Sequence, residues 1–360
     1  MNGEIKCIGI LTGGGDAPGL NAVIRAVVKT AVNCYQMRVV GIEDGFEGLL
    51  DSPRTRELGL NDVRGLLPRG GTILGTRNCG HFTIKREQGE TVRPPRVFEE
   101  SIANLHRLGI DALVVIGGEG TQGIALEFHK LGFPIVGLPK TIDNDLDCTE
   151  LTFGFDTAVD IATEAIDRLH TTAESHDRVM VLEVMGRHAG WIATYAGIAG
   201  GVDCILIPEI PFSFSKVVKK VKEREAQGRE FSIIVAAEGA TPLGGAAVYQ
   251  QKGRLGGISY QVAEAVESQT GKETRVVVLG HLQRGGQPTT VDRLFASCLG
   301  VSAVHLLVSG QFGKMVALRN GQIEAVELAS AIANLKTVSR DGYLVRTARS
   351  LGISFAGEED

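Results

Sequence analysis

The chain has 360 residues, a net charge of −5 and an ordinary apolar share of 43%, which bounds it to two domains of usual size or one large α/β unit. It carries no long basic block, no signal-peptide layout at its start and no apolar run approaching the roughly 20 residues that span a bilayer, which sets nucleic acid and membrane aside and makes the cytoplasm the expected location. The six cysteines form no C-x-x-C pair, so neither a zinc site nor a disulfide framework is expected.

Apolar runs predict strands over 6–11, 38–42, 112–116, 134–138, 179–184, 204–207, 232–236 and 276–279. Amphipathic stretches between them predict helices over 21–34, 97–108, 157–173, 215–226 and 258–270. This alternation predicts mostly parallel sheets with helices on both faces. Residues 79–95, polar with two prolines, read as a long surface loop. Late in the chain, Asn320-Gly321 separates two β-like runs, which predicts a hairpin and an antiparallel edge.

Glycine is the compositional outlier: 47 residues, about twice average usage. The glycines cluster after apolar runs, where backbone approaches a ligand closely. The turn Thr12-Gly13-Gly14-Gly15-Asp16 lies between a strand and a helix, where its N–H groups and the helix start can meet phosphate oxygens. It lacks the Gly-Lys-Ser/Thr ending of a Walker A loop. The turn Gly117-Gly118-Glu119-Gly120-Thr121-Gln122-Gly123 also opens a helix and contains a G-x-G-x-x-G spacing, with Asp143 about 20 residues on. A nicotinamide-dependent dehydrogenase therefore has to be weighed. Against it, Glu119 puts a carboxylate inside the phosphate cradle, which favours a divalent cation such as magnesium between them.

The third turn, Gly137 to Asp145, brings Lys140, Thr141, Asp143 and Asp145 to the end of a buried strand. If the backbone stays extended, Thr141, Asp143 and Asp145 point to one side. Later turns are mostly basic: Arg178; Met185-Gly186-Arg187-His188; and Arg275 with His281, Gln283 and Arg284, with Glu238-Gly239 as a further turn past a buried strand. Several arginines and a histidine at comparable loops suggest a second anionic ligand. Acidic early loops would hold metal and polyphosphate, and basic later loops a phosphorylated metabolite.

TGGGDAPGLN, IGGEGT, PKTIDND, MGRHAGW and HLQRGG, in this order, resemble the 6-phosphofructokinase family from about residue 5 to about 335. The resemblance implies two Rossmann-like three-layer α/β domains with mostly parallel sheets and the active site in the cleft between them. It places the phosphoryl-donor domain at 1–154 plus about 283–335, and the sugar-phosphate domain at 155–282 plus about 336–360. It implies transfer of the γ-phosphoryl of MgATP to the 1-hydroxyl of fructose 6-phosphate, in a homotetramer or homodimer. By motif, Asp143 is the expected base, with Thr141 and Arg187 as further catalytic residues. Gly15, Arg77, Asn78, Glu119, Gly120, Thr121 and Lys140 are the expected donor-site residues, with Glu119 and Asp145 at the metal. Thr141, Asp143, Asp145, Met185, Gly186, Arg187, Glu238, His281 and Arg284 are the expected sugar-phosphate contacts. Arg178 and Arg275 would reach in from a neighbouring subunit.

Two positions bear on the donor. Family members that use ATP typically carry Gly after the acidic residue of the second turn, as Gly120 here, and pyrophosphate users carry Asp. Lys140 points the other way, since pyrophosphate users carry Lys there. An Asp beside the α-phosphate would be a direct obstacle, whereas Lys140 need not exclude ATP, so ATP is the expected donor and pyrophosphate the alternative.

Overall fold

The computed structural model describes residues 5–78, 80–82, 84–85, 91–92, 94–251 and 253–358. In chain order the strands and helices begin β1 (Cys7–Thr12), α1 (Leu20–Tyr35), β2 (Arg38–Ile42), β3 (Thr55–Glu57), β4 (Ile84–Lys85), β5 (Thr91–Val92), α2 (Pro95–Arg107), β6 (Ala112–Gly117), α3 (Glu119–Lys130) and β7 (Ile135–Pro139). There follow α4 (Phe155–His176), β8 (Val179–Val184), α5 (Trp191–Ala199), β9 (Cys204–Leu206), α6 (Phe214–Ala226), β10 (Ser232–Ala237), β11 (Tyr249–Gln251) and β12 (Arg254–Leu255). The chain closes with α7 (Ile258–Thr270), β13 (Thr274–Val278), α8 (Thr290–Val308), β14 (Lys314–Arg319), β15 (Gln322–Glu327), α9 (Leu328–Ala331) and α10 (Tyr343–Ser350).

The chain forms two compact units. The first comprises residues 1–141, 146–154 and 284–335, and the second 142–145, 155–283 and 336–360. The first unit has a seven-stranded sheet in the order β15-β14-β7-β6-β1-β2-β3. Side chains alternate across it, as a period of two requires. On β1, Ile8 and Ile10 face one core with α1 and α8, while Cys7 and Leu11 face another with α2 and α3. Both faces are covered, so the central strands read as unbroken apolar runs. At the edge, β14 and β15 pair antiparallel. Asn320 and Gly321 both have positive φ, 50° and 72°, the signature of the two-residue turn that matches strand twist.

Two expectations need correction here. The segment 79–95 is not simply a surface loop. Part of it lies outside the described residues, but Phe82 is fully buried and packs with Phe46, Phe98 and Phe128 at centroid distances of 5.3–6.0 Å. Also, α8 is long and apolar enough to cross a membrane by length and composition. Its reason is internal: Phe295, Leu299, Val304 and Leu307 sit in the first unit's core, beside α1.

The second unit has a four-stranded parallel sheet, β13-β8-β10-β9. Helix α7 packs on β8 and β13, and α4 and α5 on the β8–β10–β9 side. The C-terminal segment extends this sheet: Ser354 bridges Cys204 in parallel, and Phe355 and Ala356 are fully buried behind it.

Candidate active site

In the first unit, three segments meet at the carboxyl ends of adjacent parallel strands β1, β6 and β7, where open α/β sheets bind their ligands. They are the Gly13–Gly15 turn, the start of α3, and Lys140. Close approach demands the glycines: a Cβ on Gly117 would lie 2.3 Å from Thr121 Cβ, and one on Gly13 would lie 2.7 Å from Thr121 Cγ2. Thr121 can therefore be buried only against bare backbone.

Contrary to the expectation for a glycine turn at a strand end, the loop's N–H groups are not all free for phosphate. Gly13 N donates to Ile116 O and Gly14 N to Arg77 O, both at 2.9 Å, and Thr76 Oγ1 donates to Gly14 O at 2.6 Å. These bonds hold the turn still. Positive potential comes from elsewhere: the first-turn N–H groups of α3, which have no intrahelical partners, and the buried Lys140, whose ammonium donates to Gly15 O. Arg284, expected among the sugar-phosphate contacts, lies in the first unit, with Nη1 donating to Asp16 O at 3.0 Å. Glu119 and Gly120 are exposed at the start of α3.

Beside the cradle is a narrow cavity of ≈ 10 Å³, about room for one water, lined by Phe46, Phe82, Ile124, Arg77, Asn78 and Glu47, among others. Its floor is aromatic: Phe46 stacks on Phe128 at 5.1 Å and 16°. Arg77 Nε faces Asp44 Oδ2 at 3.8 Å. Glu47 receives the backbone N–H of His81 and faces its Nδ1, both at 2.7 Å. That hydrogen bond and the carboxylate charge push the His81 imidazole above its ordinary range.

The stretch after β7 departs from the extended expectation. Residues 142–143 bend, and Asn144 is left-handed with φ 51°, so Thr141, Asp143 and Asp145 do not line one side of a strand. Short polar side chains tolerate that conformation. Thr141 and Asp143 are buried and Asp145 is half-buried. The division between units falls here, with Thr141 in the first and Ile142–Asp145 in the second.

Within the second unit, the 142–145 segment is held by Lys336, which no motif contains, and through it by Trp191, the last residue of MGRHAGW. Lys336 N donates to Asp145 O at 2.9 Å, Lys336 Nζ donates to Asn144 Oδ1 at 2.9 Å, and Trp191 Nε1 donates to Lys336 O at 2.9 Å. The Lys336 ammonium also stands 5.5 Å from the Trp191 ring centroid, within cation–π range. Nearby, Glu209 takes N–H groups from Gly190 and Val338 at 2.9 and 2.8 Å. Burial raises its carboxyl despite these bonds.

The expected sugar-phosphate residues of the second unit fall into two groups. Met185, Gly186, Arg187, Glu238 and His281 follow the carboxyl ends of β8, β10 and β13. Arg187 is left-handed, φ 51°, and its N–H donates to Glu238 Oε1 at 3.2 Å. Gln283 Oε1 accepts from Met185 N at 2.8 Å, a support that the motif did not announce. Arg178 and Arg275 sit at the amino ends of β8 and β13. At about 3.3 Å per residue, a strand of this length separates the groups by roughly 15–20 Å. One chain cannot close both groups on one small anion.

For a metal, no group of three or more His, Cys, Asp or Glu exists among the described residues. Magnesium binds through one or two carboxylates plus substrate phosphates and keeps several waters. Glu119, exposed at the cradle, fits such a role.

A doubly wound α/β protein with a glycine-and-lysine cradle at its strand ends defines a phosphate-handling enzyme. Comparison with known families matches residues 7–307 to phosphofructokinase. An ATP-dependent 6-phosphofructokinase of Chloroflexus aurantiacus is 59% identical over 99% of this chain and 100% of its own length. A pyrophosphate–fructose 6-phosphate 1-phosphotransferase of Amycolatopsis methanolica is 51% identical over 93% of this chain and 97% of its own. Among solved structures, phosphofructokinase from Saccharomyces cerevisiae superposes with a TM-score of 0.80 at 32% identity, covering 91% of this chain and 45% of that one. The chain belongs to the phosphofructokinase family.

Proposed function

We propose that this chain is an ATP-dependent 6-phosphofructokinase. It transfers the γ-phosphoryl of ATP to the 1-hydroxyl of fructose 6-phosphate. The observation that carries the choice of donor is Gly120, exposed at the start of α3. Gly120 adds neither bulk nor charge where an α-phosphate would pass. In this reading Gly15, Arg77, Asn78, Glu119, Gly120, Thr121 and Lys140 bind the donor. Magnesium, held by Glu119, Asp145 and the phosphates, would neutralise the charge that develops on the transferred group.

Asp143 takes the proton of the attacking hydroxyl, Thr141 and Asp145 flank the transfer, and Arg187 stabilises charge on the phosphoryl group. Met185, Gly186, Glu238, His281 and Arg284 contact the sugar phosphate. Arg178 and Arg275, at the opposite end of their own sheet, serve the site of a second copy in a homodimer or homotetramer. Free thiols at Cys7, Cys34, Cys148, Cys204 and Cys298 suit a reducing cytoplasm. Pyrophosphate is the second reading, favoured by one observation: the Lys140 ammonium lies in the cradle, 3.4 Å from where a Gly14 Cβ would stand. Purified protein assayed with fructose 6-phosphate and each donor, with and without magnesium, decides between them. Turnover with ATP and magnesium is expected; turnover with pyrophosphate alone would overturn the assignment.

A further inference from the structure

Arg178 and Arg275 come from different strands, yet one carboxylate engages both. Glu273 Oε2 accepts from Arg178 Nε at 2.6 Å, and Glu273 Oε1 accepts from Arg275 Nη2. Arg275 Nη1 also donates to Thr274 O at 3.0 Å. The β13–β8 register makes the meeting possible, since Thr274 pairs with Val179 and Arg275 with Met180. Glu273 and Arg178 therefore flank one end of the same parallel pair. Two guanidiniums this close repel each other, and without an anion between them both side chains would splay into solvent. The bridging carboxylate uses one edge of each. A guanidinium has five N–H donors in a fixed fork, so both keep donors for a second anion.

We propose that Glu273 is a positioning residue that holds Arg178 and Arg275 as one preorganised anion clamp. The inference rests on the reading that these arginines bind the sugar phosphate. An isolated exposed ion pair contributes little, and Arg275 is 52% exposed along its side chain. The value of the triad lies in geometry: a phosphate meeting two arginines already in register loses less side-chain entropy on binding. Both guanidiniums, led by the Arg178 hydrogen bond, hold the Glu273 carboxyl below its ordinary range, so the bridge is intact at neutral pH.

The test compares Glu273→Gln, Glu273→Asp, Arg178→Ala and Arg275→Ala with the parent enzyme. It measures kcat, KM for fructose 6-phosphate, KM for ATP and the thermal midpoint. A Gln side chain has one acceptor and turns its NH2 toward an arginine, so it cannot bridge both. Glu273→Gln is expected to raise the fructose 6-phosphate KM by about 5–20-fold, with kcat and the ATP KM within about twofold and an unchanged thermal midpoint. Glu273→Asp, which keeps the charge, should recover part of the loss. An unchanged KM in Glu273→Gln, while both arginine variants raise it, overturns the proposal and leaves a surface ion triad. A KM rise that travels with a fallen thermal midpoint and is not reduced in Glu273→Asp overturns it as well. If Arg178→Ala and Arg275→Ala themselves leave the KM unchanged, the underlying reading of the arginines fails.

Discussion

Asp143 carries the chemistry in the proposed reaction, and its setting suits the part: a buried carboxyl in a bend beside the left-handed Asn144. Asp143→Asn keeps the shape and removes the base. Turnover should fall by about 10²–10⁴, the usual share of general base catalysis, while KM for both substrates changes little. Steady-state kinetics check this, and near-parental kcat would remove Asp143 from the role. A second single-residue effect concerns pH. The Glu47 hydrogen bond raises the His81 pKa. The resulting stabilisation is therefore fully present below the ordinary imidazole pKa and is lost as pH rises through the raised value. Glu47 lines the cavity beside the cradle. The ATP KM of the parent should thus drift upward as pH rises past the ordinary imidazole pKa, by less than about threefold because the His81 ring is exposed. His81→Ala should show no such drift. Parallel KM profiles for the two proteins would count against the link.

Among elements, the revealing one is the short segment at 336–338, which belongs to no helix or strand. Lys336 fixes both the backbone of Asp145 and the side chain of Asn144, and Trp191 at the start of α5 fixes Lys336. A strained turn persists only where its surroundings over-determine it, and these bonds supply that constraint. Lys336→Met keeps the backbone bonds and the packing against Trp191 but loses the ammonium. Turnover should drop by about tenfold, since small misplacements of a reacting group are costly, and KM for fructose 6-phosphate should stay within about twofold. Lys336→Arg should restore part of it. An unchanged kcat in Lys336→Met would show that the turn holds its geometry without the lysine.

For the whole molecule, the separation of Arg178 and Arg275 from the Arg187 and His281 end of the sheet by one strand length predicts complementation between subunits. Asp143→Asn chains lack a base but retain Arg178 and Arg275. Chains with both arginines replaced by Ala retain the base. Mixed and allowed to exchange subunits, the two inactive preparations should regain measurable turnover at limiting fructose 6-phosphate, because some sites combine intact halves. Activity no greater than the sum of the separate preparations would argue that each site is completed within one chain.

Much of the architecture is legible in the amino-acid sequence. Unbroken apolar runs located the central strands, amphipathic stretches located five of the ten α-helices among the described residues, and Asn320-Gly321 announced the antiparallel edge. These signals are local, because side-chain alternation and turn chemistry act over a few residues. The glycine turns at 13–15 and 117–120 were legible for the same reason. Tertiary structure alone decided the rest. It bent the 141–145 stretch that an alternating pattern would have kept straight. It spent the N–H groups of Gly13 and Gly14 on the protein itself. It also joined Lys336 to Trp191, 145 residues away, and Glu273 to Arg178, 95 residues away. Hydrogen bonds over such separations leave no periodic trace in the chain, since only the packing of strands and helices brings their partners within 3 Å of each other.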